Sequence, residues 1–234
     1  MVKKEEKSFR LIEIQKVHLN WLPIPIIGTT PFAPHKLSQD LRNNPKIDPA
    51  AKNTKIKKNT RQVDPQEEFA KCLYWLDKKG NLTTDGKDPL AHKYGFGFKS
   101  NAFKQGMVSA GRQIEGVKMT ELKPIFHVFG AEDTSKQYVK IIGTPEIECE
   151  FGNELGIWVR IGAKGGNKGT PQIRYRATFK KWKTTLYVLH NPDWISAEQL
   201  FNLANMAGFV AGIGEDRPES KKGGTGGMYR VGTV

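Results

Sequence analysis

Two stretches of this sequence combine residue types and spacing that can do chemistry. The first runs from Gln172 to Lys183. Side chains of an extended chain alternate between two faces. Ile173, Tyr175, Ala177 and Phe179 therefore share one side, and Gln172, Arg174, Arg176, Thr178 and Lys180 the other. Three cations along one open strand face repel each other unless an anion lies across them, and a phosphate backbone supplies that counter-charge. The approach to the strand, Lys164-Gly-Gly-Asn-Lys168-Gly, places two more cations on a glycine-rich loop. An edge strand guarded by charge against aggregation has the same pattern.

The second stretch is C-terminal. Gly223, Gly224, Gly226 and Gly227 flank Thr225, with Arg217, Lys221, Lys222 and Arg230 around them. Such glycines let a ligand backbone come close and can turn several N–H groups toward an anion. A flexible tether is the alternative. A third basic segment spans residues 43–61, where Lys46, Lys52, Lys55, Lys57, Lys58 and Arg61 face only Asp48. Acids gather elsewhere, at Glu67 and Glu68, at Glu132 and Asp133, and at Glu146, Glu148 and Glu150. Over 234 residues, 37 Lys and Arg against 24 Asp and Glu leave a formal charge of +13. Segregated charge of this sign points to a polyanion.

Other chemistries find no support. Gly162 to Gly169 has Asn167-Lys168-Gly169 where a nucleotide-triphosphate loop needs Gly-Lys-Ser/Thr. Gly212 and Gly214 are followed by Arg217, and their helix precedes rather than follows, so a dinucleotide loop fails too. Cys72 and Cys149 are isolated, and His18, His35, His92, His127 and His190 are scattered without zinc-site spacing. There is no Gly-x-Ser-x-Gly elbow. The expectation is no metal, no cofactor and no catalytic residue. No apolar run is long enough for a membrane helix, and no apolar segment follows the basic start, so a cytoplasmic location is expected. Two cysteines fit a reducing compartment.

The elements that must position these residues can be read in outline. Residues Phe9 to Leu19 suggest a strand, broken by Pro23 and Pro25 and followed by the turn Gly28-Thr-Thr-Pro31. A short helix is expected over 35–42, then a basic loop over 43–63. Asp64-Pro65-Gln-Glu67-Glu68 starts a helix expected to reach Leu76, with Phe69, Cys72, Leu73 and Leu76 on one face. Residues 82–98 read as loop or hairpin. Ser100 begins a second helix carrying Phe103, Met107, Val108 and Ala110. Extended segments are predicted at 125–129, 138–142, 147–151, 157–161, 172–179 and 184–189. Ser196-Ala-Glu-Gln199 is a capping box that opens the best helix, and Met228 to Val231 closes as a strand.

The ending, a helix followed by Gly212-Ile-Gly214, Arg217, Gly224-Thr-Gly226-Gly227 and Tyr229-Arg-Val231, resembles the glycine-rich loop of the RAMP superfamily, the RRM-like proteins of CRISPR effector backbones. It also resembles a family of uncharacterised bacteriophage proteins, to which Gly28-Thr-Thr-Pro31 and the helix around Phe103 to Ala110 are similar as well. The RAMP resemblance rests on the last ~40 residues, departing at the Lys221-Lys222 insertion; the phage one spans most of the chain. The resemblance implies an α+β, modified ferredoxin-like (RRM-like) core. The chain is then a single domain, 1–234, with insertions at 29–98 (loop 43–63 and helix 64–76) and at 143–170.

These readings converge on a non-enzymatic, sequence-independent binder of single-stranded DNA or RNA. Its expected contacts are Lys55, Lys57, Lys58, Arg61, Lys164, Lys168, Arg174, Arg176, Lys180, Arg217, Lys221, Lys222, Gly224, Gly226, Gly227 and Arg230, with Tyr94, Phe96 or Trp182 stacking on bases. The resemblance implies side-by-side assembly as a homo-oligomer or filament. Two rivals stand beside this: a metal-independent RAMP-type endoribonuclease using His18 or His35, and a structural assembly protein with acidic protein partners.

Overall fold

The computed structural model describes residues 16–34, 36, 64–83, 88, 90–150, 174–221 and 223–232. All of the helix expected at 35–42 except Lys36, the basic loop 43–63, the strand at 157–161 and the 164–169 loop lie outside these residues, as does most of the strand expected from Phe9.

The described chain is mixed α and β with antiparallel sheets. Its order is β1 (Asn20–Gly28), α1 (Pro65–Lys71), β2 (Tyr74–Trp75), β3 (Phe96–Lys99), α2 (Ser100–Ala110), α3 (Met119–Ile125), β4 (Phe126–Phe129), β5 (Tyr138–Ile141), β6 (Glu146–Glu150), β7 (Arg174–Thr178), β8 (Lys183–His190), α4 (Ala197–Val210) and β9 (Tyr229–Val231). A four-stranded sheet runs β4-β8-β1-β9, every neighbouring pair antiparallel. β2-β3-β5 form a second sheet, and β6-β7 pair with each other.

The first strand corrects the sequence reading. It starts at Asn20, beyond the segment expected to form it, and runs through both prolines. β8 pairs along its whole length, whereas β9 reaches only Ile26 to Gly28. The Pro25 carbonyl accepts the Gly232 amide at 2.8 Å, on the side away from β8. In an antiparallel strand the nitrogen and carbonyl of one residue point the same way, so neither Pro25 nor Pro23 is asked to donate to β8. The missing N–H groups fall where no ladder needs them.

Strict alternation builds the core of this sheet. On β8, Thr184, Leu186, Val188 and His190 are buried; on β1, Ile24 and Ile26; on β4, Phe126 and Val128. The cross-strand register places these residues on one face. Helix α4 also packs on that side. Gly208 is a glycine because a Cβ there would strike the Tyr229 carbonyl of β9. Helix α2 contributes Phe103, Met107, Val108 and Ala110 to the same core.

Two local outcomes differ from expectation, and a third, the start of α2 at Ser100, agrees with it. Helix α1 keeps its start, with the Asp64 carboxylate accepting the Gln66 amide at 2.9 Å, but ends at Lys71 instead of Leu76. Tyr74 and Trp75 leave it to pair with Gly97 and Phe96, and the Trp75 indole donates to the Ala70 carbonyl at 2.8 Å. Ser100 is the first residue of α2, and both its amide and its hydroxyl bond to the Gln137 carbonyl. Helix α3 has no counterpart among the expected elements, being seven residues long with Pro124 inside it.

Candidate nucleic-acid interface

The cation row of β7 is not the open track that its alternation suggests. Arg176 is 8% exposed and its guanidinium meets the Glu215 carboxylate at 2.7 Å. Lys180 meets Glu146 at 2.5 Å. Thr178 is buried although it belongs to the polar side. The register with β6 sets Glu148 opposite Arg176 and Glu150 opposite Arg174. Strand pairing thus brings the acidic segment, which stands apart in sequence, alongside the basic one. Arg176 is corrected from a phosphate contact to a member of a buried ion pair, whereas Lys180 stays at the surface, paired there with Glu146. Lys55, Lys57, Lys58, Arg61, Lys164, Lys168 and Lys222 lie outside the described residues.

The glycine loop is also more inward-turned than expected. The Gly226 amide donates to Asp216, Gly227 to Pro31, Ile213 to Gly227 and Gly223 to Ser220, all between 2.7 and 3.0 Å. Those donors serve the loop and the chain after β1, and leave no cradle of free amides at Gly226 and Gly227. Gly227 has φ +61°, and a Cβ there would overlap the Ile213 carbonyl, so glycine is required by the clasp and not by a ligand. Between this loop and α2 lies a cleft of about 650 Å³. Arg217 and Lys221 line it, but so do Glu215, Asp216 and Glu219. Opposite charges alternate there, which is poor complementarity for a polyanion.

A different surface carries the qualities sought. Residues directly opposed in an antiparallel sheet point to the same face. Trp21, Leu189 and His127 form one row across β1, β8 and β4; Pro23, Tyr187 and Phe129 form the next. Further along, Ile27 stands beside Lys183 and Arg230. These are the alternates of the buried set and lie on the face opposite the helices. Trp21, Phe129, Tyr187 and Leu189 are half-buried, while Pro23, His127, Lys183 and Arg230 are exposed. The Trp21 and Phe129 rings meet edge to face, centroids 5.5 Å apart. Among the described residues, Arg230 alone of the expected contacts falls on this face. The stacking residues are corrected as well. Phe96 and Trp182 are buried, and the Trp182 indole donates to the Thr30 carbonyl at 2.9 Å. Tyr94 is 44% exposed but stands elsewhere.

The histidines have identifiable settings. His18 and Asp193 form a pair at 3.4 Å in which both side chains are mostly exposed. His35 lies outside the described residues. Lys104 Nζ donates to His127 Nδ1 at 3.0 Å, at the margin of the aromatic rows. Partial burial, and then the Lys104 charge, hold the His127 imidazole below its ordinary pKa; partial burial lowers Lys104 too. Among the described residues, no three His, Cys, Asp or Glu converge as a metal set. None of the described helices is long and apolar enough to cross a membrane. No protein-family model and no curated protein matches the chain.

Proposed function

We propose that this chain binds single-stranded nucleic acid without reading its sequence, and without cleaving it, on the open face of the four-stranded sheet. The observation that carries this is the composition of that face. Trp21, Tyr187 and Phe129 offer π surfaces in adjacent rows, and Lys183 and Arg230 stand together at one end. Aromatic side chains stack on any base, and cations beside them meet the phosphates, which gives affinity without a code. The chain's surplus of positive charge favours the same ligand.

The proposed core is ferredoxin-like. The order β4-β8-β1-β9, with α2 between β1 and β4 and α4 between β8 and β9, supports that reading. So does the resemblance to RRM-like proteins, which also underlies a proposed side-by-side assembly along the strand.

Anisotropy of labelled oligo-dT and oligo-U tests the function. Binding should weaken linearly in log–log salt titrations and fall when Tyr187 is replaced by Ala. Absence of binding to both oligomers, or binding indifferent to Tyr187, Trp21 and salt, would refute it.

A further inference from the structure

A second concave surface collects positive charge that the described residues leave largely unanswered. The turn at 77–80, the segment Lys93–Tyr94 and the chain from Gly130 to Lys140 enclose a cleft of about 320 Å³. Five lysines line it: Lys78, Lys79, Lys93, Lys136 and Lys140. The acid in its lining is Asp77. That carboxylate already accepts the Lys79 and Asn81 amides, each at 2.8 Å. The Asn81 amide first, and the Lys136 charge last, help to hold it ionised below the usual carboxylate range. Lys136 is fixed by a 2.9 Å bond to the Asn81 side-chain oxygen, which ties the turn to the far wall. Among the described residues, none of these lysines is ion-paired with a carboxylate.

We propose that this cleft is a phosphate-binding site that takes a run of adjacent phosphate groups on one ligand. Lysines present compact point charges on flexible stems, so they select for charge density and not for a planar, two-toothed partner. A single phosphate would leave most of the cations unanswered; two or three linked phosphates match them. Tyr94 on the rim adds an exposed ring beside those charges. The site also adjoins the proposed strand-binding face. Gly130 follows Phe129 directly and donates to the Lys136 carbonyl at 2.7 Å. Backbone phosphates of nucleic acid and a free polyphosphate share this chemistry. The placement beside Phe129 rests on the proposed function; the site itself does not.

The test compares the full chain with a triple variant, Lys78→Gln, Lys79→Gln and Lys140→Gln, whose substitutions lie at the surface and whose fold is checked by circular dichroism. Inorganic tripolyphosphate is titrated by calorimetry, and labelled oligo-dT by anisotropy at several salt concentrations. The expected result is at least about tenfold weaker tripolyphosphate binding in the variant. If the oligo-dT salt slope also falls, by about 0.7 for each phosphate no longer neutralised, the ligand is a strand backbone. If tripolyphosphate binding falls while oligo-dT is unaffected or never binds, the site serves a free polyphosphate. That outcome upholds the inference even where the strand-binding reading fails. Tripolyphosphate binding that is absent from the wild type, or equal in both proteins, overturns it. A variant that does not fold is replaced by Lys93→Gln with Lys140→Gln, read against the same outcomes.

Discussion

The hydroxyl of Thr30 donates to the Thr225 carbonyl at 2.6 Å and accepts the Met228 amide at 2.8 Å. One side chain thereby staples the end of β1 to the glycine loop. The surrounding backbone follows: the Thr29 amide bonds to Met228, and the Gly227 amide to Pro31. Thr30→Val keeps the shape but leaves the Met228 donor without its acceptor. A cost of about 0.5–1.5 kcal/mol in unfolding free energy is expected, since the bonds are only partly buried and water reaches the freed donor. Denaturant titration of the variant measures it; an unchanged midpoint would mean that water replaces the hydroxyl.

Arg176 and Glu215 should behave as a buried pair. Removing one partner takes away the 2.7 Å charge–charge contact of the other, and Glu215→Gln or Arg176→Met alone should cost up to about 3 kcal/mol. The double replacement by apolar residues of similar volume should recover much of that loss. Oligonucleotide affinity of any variant that remains folded should be unaffected, because the pair serves β7 and the loop. A selective fall in affinity at full stability would make Arg176 a ligand-binding residue after all.

Local signals are legible in the sequence where both partners lie within a few residues. The Ser196 hydroxyl accepts the Gln199 amide at 3.2 Å, and the Gln199 side chain accepts the Ser196 amide at 2.9 Å, as the capping box requires. Asp64-Pro65 also begins its helix. What stays hidden depends on distant partners. Pro23 and Pro25 read as breakers because the side of β1 that needs donors is decided by β8 and β9. Arg176 sits on the polar side of a correct alternation, yet Glu215 and β6 close that side. Trp21, Tyr187 and Phe129 come from three strands, and only the register makes them neighbours. The alternation of β8, with Tyr187 and Leu189 opposite its buried set, is the one local hint of that face.

Stacking makes a graded prediction for those three rings. Removing one aromatic platform from beneath a base costs about 1–3 kcal/mol. Tyr187→Ala should therefore weaken oligo-dT binding by roughly five- to a hundredfold, whereas Tyr187→Phe should retain it, because the ring and not the hydroxyl does the stacking. Trp21→Ala should weaken binding too, with some fall in stability because its edge-to-face packing on Phe129 disappears. Equal affinities of Tyr187→Ala and wild type, measured by anisotropy, would remove β8 from the interface.

Lys183 and Arg230 separate charge from stacking. Replacing each by Gln removes one cation from the phosphate track and should lower the log–log salt slope by about 0.7 per residue. At low salt the loss in affinity should be large, and at high salt small. The slope of the double variant, compared with that of Tyr187→Ala, distinguishes the two contributions: the stacking variant should lose affinity at every salt concentration with its slope intact.

The setting of His127 gives the molecule a pH dependence whose sign can be predicted. Its imidazolium is disfavoured in the folded chain by partial burial and by Lys104, so its folded pKa lies below the ordinary 6.5. The unfolded chain takes up this proton first as pH falls. The stabilising contribution is therefore complete above about pH 6.5 and is lost as pH drops through the folded pKa. Protonation also breaks the Lys104–His127 bond, since Nδ1 no longer accepts. Partial exposure and solvent screening keep the effect small. Stability of the wild type should decline slightly from pH 7.5 to pH 5, and His127→Phe should decline less over the same range. Lys104→Gln should raise the imidazole pKa seen by NMR toward its ordinary value. An imidazole that titrates above 6.5 in the wild type would reverse the sign and refute the account.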